Sequence, residues 1–437
     1  MSRYDEMKRL LESTRFSLEP NRRRLLQVMT ALGVAGFIIG LIIGYRQEVW
    51  QAMLVNTMYF SGIAIGGVIF SVIFTITSAH WGRPIKRLAE AMAGFIPVSL
   101  LLLILLFFGM DVFFEWVDPN RVIHAKAGWL NIPFFVIRNL FMMVLAAVLI
   151  WIYLKAVIRP DIGMAKKLTG FGNAFADRLV KDYGSQKSEE ARSVGKSKRL
   201  APIVALMFAL LCTMQAFDWM MSIDQEWFST MFGVQYAMSN LLGAAAVLMI
   251  ISGIVRNRFG LEEYITIDRY HDLSKLTFAA CGMWAYMVFS QVLVIWYANL
   301  PEETPYLILR MQSIEWGWMF WLIMVVLFII PFFGLMSRTA CNSIWFSRWV
   351  AVELLVGLWL EKYFLILPSI QENNIAMGII PAGNGLPGFN PNIFDALITI
   401  GFLGGFLLCY SWLLQRVPMI PVSDQLFFKK ANDHAES

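Results

Sequence analysis

Ten long apolar runs set the strongest limit on how this chain can fold. They hold 218 of its 437 residues but only six charged side chains. A run of about 20 apolar residues is long enough to cross a bilayer as a helix. The sequence therefore predicts an all-α polytopic membrane protein with about ten transmembrane helices. The runs are residues 25–44, 53–78, 92–110, 132–154, 201–217, 230–255, 276–297, 316–336, 345–367 and 394–414.

The distribution of Lys and Arg predicts the orientation of the chain in the membrane. If the N-terminus is inside, the inner segments carry 28 Lys and Arg residues and the outer segments carry four. Cytoplasmic loops of membrane proteins are enriched in these residues. We therefore predict that both termini are cytoplasmic. The basic patches are interpreted as orientation signals and lipid-headgroup contacts, so nucleic acid is not an expected partner.

Cysteine and histidine usage limits the redox chemistry predicted for this chain. The four cysteines are at least 60 residues apart, and no CxxC or Cys/His metal spacing occurs. A haem inside the bilayer needs ligands from helix interiors, usually His, but the histidines lie at span ends or in the tail. We expect no metal site here, and any electrons must travel through other subunits.

A weak internal repeat predicts how the spans are grouped. Gln47-Glu48-Val49-Trp50 precedes the second span, and Gln225-Glu226-Trp227-Phe228 precedes the sixth at an offset of 178 residues. This offset predicts two parallel four-helix bundles, spans 2–5 and 6–9, with spans 1 and 10 flanking them. The predicted segments are a cytoplasmic arm (1–24, with no cleavable signal peptide), spans 1–4 (25–155), a flexible basic loop with a surface helix at 165–180 (156–200), spans 5–10 (201–414) and a cytoplasmic tail (415–437).

The outer connection 218–229 mixes carboxylates with aromatic side chains and has no basic residue. One interpretation is an interfacial aromatic belt with solvated acids. The other is the rim of a pocket in which an aromatic ring stacks while a carboxylate takes up a proton. The candidates are Asp218, Trp219, Asp224, Glu226 and Trp227.

The next outer segment, 291–304, contains a second group of candidates. Asn299 and Pro301 end the seventh span, and an acid pair follows where protons would leave on the outer side. The alternative is a plain helix start, since Pro and acidic residues favour the first turn. The candidates are Gln291, Tyr297, Asn299, Glu302 and Glu303.

Ionisable residues inside the spans suggest a proton relay. Such residues are costly in a membrane and indicate function by default. Glu353 lies roughly 12 Å into span nine, and Glu361 lies two turns further along. Arg138 in span four is the predicted counter-charge for either glutamate. The alternative is a structural ion pair or a neutral buried acid.

The inner span ends complete the predicted relay. His80 closes span two, and His271, Asp272 and Lys275 open span seven, while the segment Arg83–Glu90 is its counterpart in the first half. An inner funnel of His, Asp and Glu would bring protons towards the acids inside the membrane. Helix capping with headgroup contact is the alternative for each residue taken singly.

The sequence resembles the second, smaller polysulfide-reductase-type (NrfD-like) membrane subunit of alternative complex III, over roughly residues 25–415. Its strongest stretch is 271–304, and Asp218-Trp219-Met220-Met221-Ser222 is part of the same pattern. The remaining matches are Trp227 to Gly233, Lys126, Leu130-Asn131, Pro133-Phe134-Phe135, Arg138, Pro331-Phe332 and Ser337-Arg338.

The resemblance implies a subunit of a bacterial quinol:cytochrome c oxidoreductase in the inner (plasma) membrane. It implies quinol oxidation near the outer face, with menaquinone or ubiquinone, and lipids, as noncovalently bound molecules. Haems and iron–sulfur clusters would lie in partner subunits. The implied partners are a larger NrfD-like quinol subunit, a periplasmic iron–sulfur subunit, multihaem and monohaem c-type cytochromes and small membrane anchors, with a terminal oxidase as a further candidate.

Relatives in this family tend to have a His and an Asp late in span nine, where this chain has Leu358 or Trp359 in place of the His and Glu361 in place of the Asp. The larger paralogue is therefore the better candidate for the working quinol pocket. For this chain we expect a role in quinol access, proton movement or both. The alternatives are a purely structural scaffold of the complex and a secondary transporter.

Overall fold

The computed structural model describes residues 3–379, 385–424 and 426–427. It is 79% helical, and its described residues contain no strand, which confirms the predicted all-α fold. Ten long helices follow the order of the predicted spans, and we number them α1 to α10. They are Pro20–Ile42, Arg46–Ile76, Arg83–Phe113, Ile132–Thr169, Gln186–Trp219, Thr230–Arg258, Ile267–Ala298, Gly317–Met336, Ile344–Ala376 and Ile393–Leu414.

Nine of these helices, within the described residues, are long and apolar enough to cross a membrane. The chain is therefore a multi-pass membrane protein. The exception is α9, which has 33 residues but carries four charged residues within its apolar stretch: Arg348, Glu353, Glu361 and Lys362. Its length matches the other helices, and its charges set it apart. We call the side on which both termini are predicted to lie the inner side.

The connection 156–200 is mostly helical, unlike the flexible loop predicted from its polar composition. Helix α4 continues to Thr169, and α5 already begins at Gln186. Gly170 ends α4 with a φ of 68°, so the predicted surface helix at 165–180 is broken there. Lys, Arg and Glu are good helix formers, and they let both helices extend beyond the bilayer.

The N-terminal arm is ordered on the inner side. A short helix, Arg3–Ser13, buries Met7, Leu10 and Leu11. Tyr264 in the α6–α7 connection donates a hydrogen bond to Glu6. This helix therefore covers inner surfaces of both halves instead of extending into solvent.

Helices α2 and α6 cross at the centre of the molecule. The most apolar stretch of α2 is 89% buried and that of α6 is 72% buried, against 17% for α1. Tyr236 Oη donates to the carbonyl of Met58 at 2.9 Å, and Gly62 lies against Asn240. Both pairs are separated by 178 residues, the offset of the predicted repeat. A two-fold axis between repeats would bring equivalent positions together in this way, although the repeat itself stays a prediction.

Small residues allow the other close helix contacts. A Cβ on Gly33 of α1 would lie 2.4 Å from the Cα of Gly401 in α10, so these backbones touch at the edge of the molecule. Helix α8 contains a π-helical turn, Val325–Ile329. A Cβ on Gly357 of α9 would lie 2.6 Å from the side chains of Val326 and Leu327 in this turn.

Candidate functional site

A buried carboxylate, that of Glu361, forms the centre of the candidate site. Glu361 lies in the middle of α9 and is 1% exposed. Its Oε1 accepts hydrogen bonds from Gln235 Nε2, Ser239 Oγ and Trp284 Nε1 at 3.2, 2.9 and 2.7 Å. Its Oε2 accepts from Lys362 Nζ at 2.8 Å. Helices α6, α7 and α9 therefore converge on one carboxylate, as the relay hypothesis for Glu361 requires.

Further contacts hold these donors and extend the site outward. Lys362 Nζ lies 4.8 Å from the centroid of the Tyr236 ring, which gives the ammonium a second favourable contact. Gln291 Nε2 donates to Gln235 Oε1. Gln291, predicted as an outer-exit residue, thus lies one hydrogen bond from the partners of Glu361.

Polar side chains also line the inner half of the same bundle. His271 Nδ1 lies 2.9 Å from Asn342 Oδ1, and Ser274 Oγ donates to Ser347 Oγ at 3.4 Å. Both pairs join the start of α7 to the start of α9 or the segment just before it. His271, a predicted relay residue, therefore belongs to the bundle that contains Glu361.

Glu353 lies between these inner pairs and Glu361. It is half-buried, and its Oε2 is shielded without a hydrogen-bond partner among the described residues. Eight residues separate it from Glu361, which is roughly 12 Å along a helix axis. The two glutamates are therefore too far apart for direct proton exchange in this arrangement.

Arg138 pairs with neither glutamate, contrary to the predicted counter-charge role. Its Nε and Nη2 each donate to the carboxylate of Asp218 at 2.8 Å, a bidentate ion pair between α4 and α5. Asn139 Nδ2 donates to the same carboxylate at 2.8 Å. Arg138 and Asp218 lie in the other half of the molecule, where each satisfies the other.

Asp218 and Trp219 are enclosed, so they do not form the rim of an open pocket. Both are completely buried, and Trp219 Nε1 donates to Asn139 Oδ1 at 2.8 Å. The rings of Phe107 and Phe135 lie 5.6 and 5.1 Å from the Trp219 ring. The protein's own rings occupy the place that a stacked ligand would need, so a quinol headgroup does not fit at Asp218.

The rest of the segment 218–229 forms local structure. Asp224 Oδ1 accepts from the backbone N–H groups of Glu226 and Trp227 at 3.1 and 3.2 Å. Glu226 is exposed, whereas Trp227 is buried and stacks on Tyr306 at 3.6 Å between centroids. The guanidinium of the buried Arg310 also contacts Tyr306, with its Cζ 3.5 Å from the centroid of the Tyr306 ring.

The segment after α7 has the features of a helix end. Tyr297 is 86% exposed, and Asn299 ends α7 with a φ of 48°. Glu302 is exposed, while Glu303 is buried in the turn that precedes the short helix Thr304–Met311. Of the candidates in 291–304, only Gln291 reaches the Glu361 site.

The remaining inner candidates lie at the surface of the membrane domain. Lys275 is exposed, and Asp272 and His80 are half-buried. These positions are compatible with an inner funnel. Of the predicted inner residues, His271 is the one with a hydrogen bond to the α9 side of the bundle described above.

A second buried ionic cluster, in the first half, was only partly foreseen. Arg87 forms ion pairs with both Glu90 and Asp161, and all three are about 1% exposed. Ser71 Oγ donates to Glu90 Oε1 at 2.5 Å and lies 3.0 Å from Tyr153 Oη. The charged segment Arg83–Glu90 was the available signal. Its partner Asp161 was missed because it follows the apolar part of α4.

A polar cavity on the outer side was not predicted from the sequence. It has a volume of about 290 Å³ and lies between the starts of α2 and α10 and the second half of α9. Tyr363 Oη donates to Asp395 Oδ1 at 3.0 Å on its wall, and Glu48 also lines it. Tyr363 is two residues from Glu361 on α9, so the cavity extends from the outer side to within two residues of the central site.

Comparison with known protein families and with curated proteins finds no match for this chain. Among the described residues, no three His, Cys, Asp or Glu side chains come together as a metal site would need. The four cysteines are free thiols, and three of them are buried.

Proposed function

We propose that this chain is an integral membrane subunit of a bacterial quinol:cytochrome c oxidoreductase of the alternative complex III type, located in the plasma membrane. Its role is to move protons through the Glu361 site. Electrons pass through haems and iron–sulfur clusters in the partner subunits implied by the resemblance. The resemblance of residues 271–304 supports the assignment to this complex, and the Glu361 site supports the proton role.

The carboxylate of Glu361 carries this proposal because of the kind of partners it has. An isolated charge in a membrane interior is strongly disfavoured, so this one persists through four donors. Two of them, Ser239 and Gln235, can turn from donor to acceptor, since a hydroxyl and an amide do both. Glu361 can therefore be satisfied as a carboxylate and as a carboxylic acid, which is the requirement for a proton-exchanging group.

Proton transfer at this site would change the balance with Lys362. When Glu361 gains a proton, its attraction to the Lys362 ammonium falls, and the lysine keeps its contact with the Tyr236 ring. The chain from Gln291 through Gln235 leads outward, and the His271 end leads inward. Quinol itself is assigned to the larger partner subunit, because Asp218 and Trp219 are closed against a ligand.

The test is Glu361→Gln in the complex purified in mild detergent with its co-eluting subunits. We expect the proton yield per electron to fall while the haem and iron–sulfur content is unchanged, because the amide cannot carry a proton through the site. Glu226→Gln removes an exposed outer acid and serves as the matched control. Unchanged turnover and proton yield in the Glu361→Gln complex would reject the relay and leave the scaffold role. If the chain instead purifies without partner subunits and takes up substrate into proteoliposomes, it is a transporter.

A further inference from the structure

A large basic cavity lies at the inner ends of the first-half helices. Its volume is about 740 Å³, which is within the roughly 300–1,000 Å³ range of small-molecule sites. Its walls are formed by the start of α3, the end of the apolar part of α4, the start of α5 and, near the C-terminus, Pro421, Ser423, Asp424 and Leu426. With the predicted topology, these ends lie at the depth of the inner lipid headgroups.

Positive charge is in excess on the walls of this cavity. The lining residues include five cations and three carboxylates. The carboxylates are already engaged, because Asp161 pairs with Arg87, Asp424 pairs with Arg83 at 2.9 Å, and Glu190 accepts from Gln186 at 2.7 Å. The cations are Arg83, Lys86, Arg87, Lys187 and Lys198.

Lys86 differs from the other buried cations of this wall, Arg83 and Arg87, which both form ion pairs. It is 3% exposed, and its Nζ donates to Thr75 Oγ1 at 3.2 Å. No ion pair joins it to a carboxylate in the part of the chain that the structure describes. The Nε of Arg87, also on the wall, is buried without a hydrogen-bond partner among these residues. A buried ammonium with two remaining donors is costly unless an acceptor is supplied.

We propose that this cavity binds a phosphate group. A phosphate supplies both the negative charge and the several acceptor oxygens that Lys86 and Arg87 lack. Ser78 and Ser193 add hydroxyl donors on the wall, and Val157 and Val194 add apolar surface. This chemistry is shared by the headgroup of an anionic phospholipid and by free phosphate, and basic pockets between helices on the cytoplasmic side are known to take lipid headgroups.

This site is independent of the proposed proton role. It lies in the first half of the molecule, and none of the residues named for it contacts Glu361. The relay could fail while phosphate binding holds, and the reverse also applies.

The experiment uses the full-length protein purified in mild detergent, stripped of lipid and returned to defined conditions. One arm titrates inorganic phosphate against sodium chloride at equal ionic strength. The other compares vesicles of phosphatidylglycerol with vesicles of phosphatidylcholine, whose phosphate charge is balanced by its own choline ammonium. The measurements are Kd and the shift in Tm, which rises when a ligand binds only the folded protein.

Lys86→Met keeps the unbranched stem and removes the charge. We expect it to weaken phosphate-group binding about tenfold, the loss of one charge-assisted hydrogen bond. Lys167→Met, an exposed lysine on the same side and outside the cavity, should bind as the wild type does. If Lys86→Met does not fold, Lys198→Gln on the exposed wall replaces it, with a smaller expected loss.

Each outcome decides the matter. Binding of phosphate alone, or of phosphatidylglycerol alone, supports the site and identifies its source, and binding of both shows that the phosphate group suffices. No preference over chloride and phosphatidylcholine overturns the proposal. An equal loss in Lys86→Met and Lys167→Met overturns it as well, because the effect would then be general surface charge.

Discussion

The two halves of the molecule each bury a carboxylate on a long helix, but they satisfy it differently. Asp218 in α5 is held by the guanidinium of Arg138 and the amide of Asn139. Glu361 in α9 is held by an ammonium, an amide, a hydroxyl and an indole. Both carboxylates are at most 1% exposed, so burial alone does not distinguish them.

The difference lies in what the donors can do after a proton arrives. A guanidinium only donates and cannot lose its proton, so protonating Asp218 would leave Arg138 buried without a counter-charge. Protonating Glu361 likewise removes the counter-charge of Lys362, but an ammonium can release a proton. Ser239 and Gln235 can reverse their roles around Glu361. The comparison indicates that the first-half ion pair holds helices together, whereas the second-half site is suited to exchange a proton.

Asp218→Asn should produce the largest loss of stability. It leaves Arg138 buried and unpaired, which costs about 3–5 kcal/mol in the free energy of unfolding. The measurement is reversible unfolding of the full-length protein in mixed detergent micelles. Asp111→Asn breaks the half-exposed ion pair with Arg46 and is the control, with an expected loss of about 0–1 kcal/mol. Equal losses in the two variants would remove the special position of the Asp218 pair.

Glu361→Gln should destabilise the protein less than Asp218→Asn does. The glutamine oxygen still accepts from Trp284 and Ser239, and Lys362, unlike Arg138, can lose its proton when its counter-charge is removed, so we expect a loss of about 1–3 kcal/mol. The double variant Glu361→Gln with Lys362→Met should recover most of this loss, because neutral replacement of a buried pair is often harmless. The same unfolding assay measures both. A larger loss than in Asp218→Asn would reverse the comparison.

Gly357→Ala tests the packing that positions the helix of Glu361, with the smallest expected effect. The added Cβ would lie 2.6 Å from side chains of the π-helical turn in α8, so α8 or α9 must shift, at about 1–2 kcal/mol. Gly282→Ala in α7, whose nearest neighbour would be 4.0 Å away, should leave stability unchanged or raise it by up to about 1 kcal/mol. Identical unfolding curves for the wild type and Gly357→Ala would show that this contact is soft.

The fold was largely predictable because apolar run length is a local property of the chain. All ten predicted spans are long helices, and α9 remains one despite its five charged residues. The ends of the helices were less predictable. Helices α4 and α5 extend into the connection 156–200, where the polar sequence was taken for a loop although its residues favour helix.

The candidate site was predictable in its central residue and in Gln291 and His271, which lie on either side of it. Glu361 stood out because an acid inside an apolar run is rare. Gln235, Ser239 and Trp284 look ordinary in sequence, and only packing brings their helices to one carboxylate. Asp218 was taken for a rim residue because it directly follows an apolar run. The fold instead buries it against Arg138 from the preceding helix.

The sequence by itself determined the class of protein, because backbone hydrogen bonds in lipid must be satisfied within each apolar segment. Each run therefore forms its own helix whatever its neighbours are. The tertiary structure alone decided which buried charges meet. A buried charge needs a partner, and helix packing decides whether it has one. It places Arg138 beside Asp218 and brings three helices together at Glu361. Lys86 has no ion pair within the described chain.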